Sequence, residues 1–206
     1  MSPLPTATLL DYEARIVSLL GAIGEGEINL LIDLLLRCDS ESGTDITLYL
    51  SSQGGDVLQA LKVIDTLRLL RSHVTAVGLG LVEGAAVVVL AACPRRVVFP
   101  SVLISTAGLW ALPMAHADLR EPMGLGGGSD PRHQLLAKVQ QQVERSFANA
   151  PQNLRSLLAN PAQPPRLFNA AEAIEVGFAD HIITGPQRRL LKPQTKKLSY
   201  AKSITL

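Results

Sequence analysis

The feature that most constrains the fold is a predominantly apolar stretch over residues 74–106, which reads VTAVGLGLVEGAAVVVLAACPRRVVFPSVLIST. Its β-branched start predicts a strand, Gly80 and Gly84 predict a tight turn, and the alanine and valine run up to Cys93 predicts a buried helix. Several folds hold a nucleophile at such a strand-to-helix turn. Here the turn carries only Glu83 and Gly84, so it offers no hydroxyl or thiol for attack.

Strands and helices alternate in the part of the chain before this stretch. Residues 15–20 and 45–52 read as strands, while residues 24–37 and 56–70 read as helices, the second opened by the glycines of QGG. The polar run CDSESGTD is predicted to be a turn. This alternation indicates parallel strands joined by right-handed crossovers, and therefore an α/β fold with helices covering the sheet.

The second half begins with an irregular region over residues 107–131 that ends in the loop sequence GLGGGSDP. A long helix with one apolar stripe is predicted at residues 132–148, and a shorter one begins at Pro151. Asn169 is predicted to cap a further helix, with Glu172 as its capping-box partner. The sequence DHIIT then predicts a last strand.

Composition indicates one domain that associates with other subunits. The 206 residues suit a single domain, and only 18% are charged while 47% are apolar, which favours large buried or contacting faces. The net charge of +1 includes six basic residues after Gln187 with no acid among them, so the rest of the chain carries −5. We interpret residues 185–206 as a solvated basic tail, and no base-reading motif points to nucleic acid.

Other classes of function find little support in the sequence. A membrane span over residues 74–93 is disfavoured because Glu83 lies at its centre and glycines interrupt it. The start of the chain lacks the pattern of a secretory signal. The two cysteines, Cys38 and Cys93, and the four histidines lack metal-ligand spacing. We therefore expect no cofactor or metal, and a reducing compartment.

Three segments together resemble the ClpP family, the proteolytic subunits of the Clp protease within the crotonase-like superfamily. They are LYLSSQGGDV at residues 48–57, GLVEGAAVVVLAAC at residues 80–93, and NAAEAIEVGFADHII at residues 169–183. The resemblance covers residues 15–184 and implies a ClpP/crotonase-like fold of repeated strand-turn-helix units with a protruding handle helix. Residues 1–14 are then a short N-terminal segment.

The same resemblance implies that the catalytic positions are vacant. It places Gly84 where the family has its nucleophilic serine, Ser105 or Thr106 where it has a histidine, and Pro165 where it has an aspartate. No acyl-enzyme can form at Gly84, the hydroxyl of Ser105 or Thr106 cannot act as a base near neutral pH, and the Pro165 ring cannot orient an imidazole. We therefore expect an inactive serine peptidase homologue rather than an enzyme.

The backbone part of the family's site is expected to remain. The resemblance assigns oxyanion stabilisation to the amides of Gly54 or Gly55 and of Ala85, which also belong to a strip that would pair with extended polypeptide. A carboxylate at Glu83 raises a different possibility, because crotonase-like hydratases use glutamates as acid and base. An isolated carboxylate at a helix start more commonly interacts with the helix dipole.

The family includes triad-lacking subunits, called ClpR, that this chain resembles in its vacant positions. This implies heptameric rings shared with active ClpP-type subunits, docking to an AAA+ Clp unfoldase, and a location in the cytoplasm or the plastid stroma. The alternatives are a crotonase-like enzyme that uses Glu83 on a small acyl substrate, and a homo-oligomeric scaffold without a proteolytic partner.

Overall fold

The computed structural model describes residues 7–11, 13–110, 131–159 and 164–185 of the chain. In these ranges the backbone forms eight strands and six helices. The strands are β1 (Ala7–Asp11), β2 (Ile16–Ile23), β3 (Ile46–Gly55), β4 (Val74–Glu83), β5 (Arg95–Val98), β6 (Leu103–Ser105), β7 (Leu167–Phe168) and β8 (His181–Ile182). The helices are α1 (Glu25–Glu41), α2 (Val57–Leu69), α3 (Ala85–Ala92), α4 (Pro131–Ser146), α5 (Gln152–Ala159) and α6 (Ala170–Val176).

The described strands form one sheet that divides at β4. Strands β2, β3, β4, β5 and β8 lie side by side in this order and are all parallel, and β1 adds to β2 in the antiparallel direction. The first half of β4 pairs with β5, up to Gly78. Its second half, from Leu81, pairs with β6, which in turn holds β7. The predicted α/β fold with parallel crossovers is therefore confirmed.

The predicted tight turn between Gly80 and Gly84 is wrong in its start. Gly80 was expected to open a tight turn, but the strand continues through it to Glu83. The reason is a bulge: Leu50 pairs with Gly78 and Ser52 pairs with Val82, so β4 has extra residues at this point. Gly80 supplies the left-handed conformation of the bulge, with φ of 60°. The turn between strand and helix is confined to Gly84.

Other element boundaries also differ from the sequence prediction, and one strand in the first half of the chain was missed. Helix α1 runs to Glu41, so the start of CDSESGTD is helical rather than a turn. Strand β3 runs to Gly55, so the glycines of QGG end a strand instead of opening a helix. Strand β1 was not predicted at all. The errors at α1 and β3 extend an element into neighbouring polar or glycine residues, because pairing and packing with distant residues outweigh local preference there.

Helix α3 lies at the centre of the protein, where it is buried on all sides. Every residue from Ala85 to Ala91 is buried, and the helix contacts α2, β3 and β4. A helix that is apolar all round is stable only inside a core. Its small side chains allow this close approach, so the end of β4 and the start of α3 are held firmly in place.

The later helices follow the predicted apolar stripe. Val139, Val143 and Phe147 are buried where α4 packs against α2 and α5. The capping box that closes the start of α6 is confirmed, since Asn169 accepts from the amide of Glu172 while the Glu172 carboxylate accepts from the amide of Asn169. Most of GLGGGSDP and the predicted basic tail beyond Gly185 lie outside the described residues.

An ion pair joins the closing segment to the sheet. Arg96 donates to both carboxylate oxygens of Asp180, with 2.6 Å between Nη2 and Oδ1, and also donates to the carbonyl of Gly177. Burial alone would raise the pKa of Asp180, but the hydrogen bonds and the charge of Arg96 lower it below the ordinary value of 3.8. A carboxylate whose pKa is lowered by folding stabilises the folded state when it is ionised.

We expect stability to fall in acid, partly through this carboxylate. Its contribution is fully present above the unfolded pKa of about 4, and is lost as the pH falls through the lower folded pKa. Asp180→Asn should therefore lower the free energy of unfolding by about 2 kcal/mol at pH 7, with a smaller penalty at pH 3. Urea unfolding at both pH values measures this. The exposed Asp65→Asn should change stability by less than about 1 kcal/mol at pH 7, and an equal penalty for Asp180→Asn at both pH values would contradict the assignment.

Candidate functional site

The candidate site is built around Gly84, which joins β4 to α3. Gly84 is the N-cap residue of α3, with φ of 59° and ψ of −129°, a conformation that side-chain-bearing residues rarely adopt. Its amide donates to the carbonyl of Ser105 at 3.0 Å, which ties the turn to the end of β6. This is the geometry of a catalytic elbow, and the residue at its tip has no side chain.

The predicted histidine-equivalent positions lie on the neighbouring strand. Ser105 ends β6 opposite Glu83 and is buried, and its hydroxyl accepts from the amide of Ala107 at 3.2 Å. Thr106 follows, and its hydroxyl accepts from the amide of Arg166 at 2.9 Å while its own amide donates to the Arg166 carbonyl at 3.0 Å. The Ser105 hydroxyl therefore stabilises its own turn, and the Thr106 hydroxyl joins two separate backbone segments.

Pro165, at the predicted aspartate-equivalent position, is brought to the same place. It directly precedes Arg166, whose amide donates a hydrogen bond to Thr106. Pro165 is exposed at the start of the segment that leads into β7. The structure thus places Gly84, Ser105 or Thr106, and Pro165 on three adjacent segments of backbone. None of these residues has a group that titrates near neutral pH.

A side chain on Gly84 would meet two residues that sequence reasoning did not single out. A Cβ atom built on Gly84 would lie 3.1 Å from the carbonyl oxygen of Ala107 and 3.1 Å from that of Gly108. Gly108 has φ of 64° and is exposed, so the chain turns sharply at this point. The small residues in STAG could have indicated a turn, but nothing in them indicates that its carbonyls face the elbow.

The predicted backbone strip lies on the other side of the elbow. A Cβ on Gly54 would lie 2.6 Å from the Glu83 carbonyl oxygen and 3.2 Å from the Ala85 nitrogen, so Gly54 and Ala85 are brought together. The amide of Gly54 donates to the buried hydroxyl of Ser52 at 3.0 Å. Gly55 instead packs against the backbone of Ile23. The amide of Ala85 lies in the first turn of α3, where helices leave donors without an intrahelical acceptor.

Three other groups could take part in chemistry: the Glu83 carboxylate beside the elbow and the thiols of Cys93 and Cys38. The Glu83 side chain is half-buried and makes no ion pair within the described part of the chain. Burial raises the pKa of the Cys93 thiol to about 12 and also raises the pKa of Cys38, so neither thiol is ionised near neutral pH. The described residues contain no group of three or more histidine, cysteine, aspartate or glutamate side chains placed to bind a metal. Among the described helices, none has the length and apolar character of a membrane span.

The divided parallel sheet, the buried α3 and the glycine strip beside its start define an α/β fold organised around a strand-to-helix elbow. The model of the Clp protease family matches residues 6–186, and the chain belongs to this family. Curated relatives are named ATP-dependent Clp protease proteolytic subunit. One from Streptococcus thermophilus is 28% identical over 181 residues, 84% of this chain and 86% of the relative. One from Lactococcus lactis subsp. cremoris is 25% identical over 176 residues, 82% of this chain and 83% of the relative.

Solved structures agree with this fold. ClpP1 from Listeria monocytogenes superposes with a TM-score of 0.68 and 21% identity, covering 88% of this chain and 96% of that one. A point mutant of the same protein gives 0.69 and 20%. The predicted ClpP-type fold is therefore confirmed.

Proposed function

We propose that this chain is a non-catalytic, ClpR-like subunit of a Clp-type protease complex. It forms part of the wall of a mixed heptameric ring with active ClpP-type subunits, which dock an AAA+ Clp unfoldase, in the cytoplasm or the plastid stroma. Its contribution is structural and regulatory, and peptide bonds are cleaved by its partners. No membrane or nucleic acid takes part.

The observation that carries the proposal is the set of groups present at the elbow. The residue in the nucleophile's conformation is Gly84, and the adjacent segments present the hydroxyl of Thr106 and the ring of Pro165. Removing a single member of a Ser-His-Asp triad leaves only residual catalysis. Among the described residues, Gly84 at the elbow has no side chain that could attack, and the adjacent segments of Thr106 and Pro165 supply no base.

Exposed apolar side chains support a role in assembly. Leu81, Leu103 and Leu167 are 36%, 43% and 61% exposed. The strand pairings place them on one face of β4, β6 and β7, since Leu81 pairs with Leu103 and Leu167 pairs with Ser105, two residues along β6. Their neighbours Val82, Ile104 and Phe168 point into the core. A contiguous exposed apolar face of this kind marks an interaction surface.

Co-expression with an active Clp proteolytic subunit from the same organism tests the proposal. We expect both chains in one complex by affinity purification and native mass spectrometry. A serine-directed fluorophosphonate should label only the active partner. The partner carrying a serine-to-alanine nucleophile variant serves as the control, and its mixed complex should be devoid of peptidase activity. Recovery of this chain as a stable monomer that binds no Clp subunit would refute the proposal.

A further inference from the structure

The elbow of this chain is filled by main chain on the side where a nucleophile's side chain would stand. The carbonyl oxygens of Ala107 and Gly108 lie 3.1 Å from the position of a Gly84 Cβ, and the Gly108 carbonyl carbon lies 3.3 Å from it. Contacts of 3.0–3.4 Å are tighter than nine in ten of those that Cβ atoms make in proteins, so the neighbouring backbone would have to shift by a few tenths of an ångström. The crowding atoms belong to backbone, which cannot rotate away as the end of a flexible side chain can.

Local hydrogen bonds hold this turn in place. The amide of Ala107 donates to the Ser105 hydroxyl at 3.2 Å, and the amide of Leu109 donates to the Thr106 carbonyl at 3.3 Å. Leu109 is 3% exposed and anchors the far end of the turn in the core. At the near end, the carbonyl of Ser105 accepts a hydrogen bond from the amide of Gly84. The turn and the elbow are therefore braced against each other.

We propose that residues 106–109 act as a built-in plug, which crowds the nucleophile's place and disfavours any residue other than glycine at position 84. The plug rests on the proposed non-catalytic function and extends it. The elbow then lacks both a serine and the room for one, so a nucleophile introduced at this position displaces the turn.

A double-mutant cycle separates the plug from simple backbone strain. Gly84→Ala places a methyl group against the two carbonyls, and also imposes a left-handed conformation on alanine, which is unfavourable in any surroundings. Insertion of one glycine after Ala107, where the chain is exposed at Gly108, lets the turn move away at small entropic cost. If the plug is responsible, the two changes are coupled, whereas strain alone makes them additive.

The expected results are shifts in the thermal midpoint of the full chain. Gly84→Ala should lower Tm by about 5 °C or more in the native background, and by half as much or less when the extra glycine is present. Hydrogen exchange should show faster exchange of the peptide that spans residues 106–109 in the Gly84→Ala protein. If Gly84→Ala alone does not fold, recovery of a folded protein on insertion of the glycine supports the plug equally.

Two controls complete the experiment. Gly26→Ala, in α1 with no atom within 4 Å of the new methyl group, should not lower Tm. A glycine inserted after Gly43, remote from the elbow, should leave the effect of Gly84→Ala unchanged. An equal loss in Tm with and without the glycine after Ala107 overturns the plug. The proposed function fails by other results, namely absence of co-assembly or labelling of this chain, so the two failures are distinguishable.

Discussion

Gly55→Ala is expected to abolish folding or to lower Tm by at least about 10 °C. Gly55 has φ of 148°, and a Cβ there would overlap the carbonyl oxygen of Ile23. The same Cβ would lie 3.0 Å from the carbonyl carbon and 3.1 Å from the amide nitrogen of Ile23. Ile23 is 3% exposed and its carbonyl also accepts from the amide of Asp56. The clash can be relieved only by separating the ends of β2 and β3, which pair at this point.

The size of this effect follows from two contributions of similar magnitude. A residue forced into a conformation reserved for glycine costs about 1–3 kcal/mol, and overpacking of a core costs about as much again. Domains have about 5–15 kcal/mol in total. Circular dichroism melting and gel filtration measure the outcome, with Gly26→Ala as the matched control. A Tm within about 2 °C of the unmodified protein would show that β2 and β3 do not meet as described.

Arg15→Met is expected to lower the free energy of unfolding by about 3 kcal/mol. The Arg15 guanidinium donates to four backbone carbonyls and one hydroxyl, which come from the end of α1, the start of β3 and the segment before β4. The acceptors are the carbonyls of Cys38, Ser42, Thr44 and Asp45 and the hydroxyl of Ser72. Methionine preserves much of the aliphatic chain and leaves these acceptors without their shared donor.

Matched variants identify the cause of this loss. Arg15→Lys retains the charge but not the planar fork, and is expected to recover less than half of the stability. Arg37→Met removes an exposed arginine that has one ion pair, at 2.7 Å to Asp33, and should cost under about 1 kcal/mol. Urea unfolding of the three variants gives the comparison. Equal losses for Arg15→Met and Arg37→Met would mean that the guanidinium contacts contribute little.

Asp39 belongs to the junction at which the end of α1, the start of β3 and the segment before β4 meet around Arg15. Its carboxylate accepts from the amides of Arg71 and Ser72 and from the Ser72 hydroxyl, at 2.7–3.0 Å. The Ser72 hydroxyl, together with Arg71, lowers the pKa of Asp39 below its ordinary value despite burial. Since Ser72 also accepts from Arg15, the two charged residues stabilise the junction through one shared hydroxyl.

Most of the order of strands and helices was predictable because it depends on local periodicity, whereas the short strands β1 and β7 were missed. The apolar stripe of α4, the capping box of α6 and the apolar run of α3 each depend on residues within a few positions of one another. The place of Gly84 between strand and helix was predictable for the same reason. The bulge at Gly80 was not, because it arises where β4 changes its partner from β5 to β6.

The contacts that decide the site connect residues far apart in the sequence. Thr106 meets Arg166 across 60 residues, and the amide of Gly84 donates to the carbonyl of Ser105. No local pattern indicates such pairs. The resemblance to a known family indicated that Pro165 lies beside the elbow. The two carbonyls that face Gly84 could not be predicted, because every residue has a backbone carbonyl and only the fold decides which ones lie there.

Serine-directed labelling with a fluorogenic peptide assay tests the central claim most directly. The purified chain, an active Clp proteolytic subunit and their co-purified complex are treated with a fluorophosphonate, and each polypeptide is examined by mass spectrometry. We predict no hydrolysis by this chain alone, and label on the active partner only. Peptide hydrolysis by this chain that the fluorophosphonate blocks, with the label attached to its own polypeptide, would contradict the account.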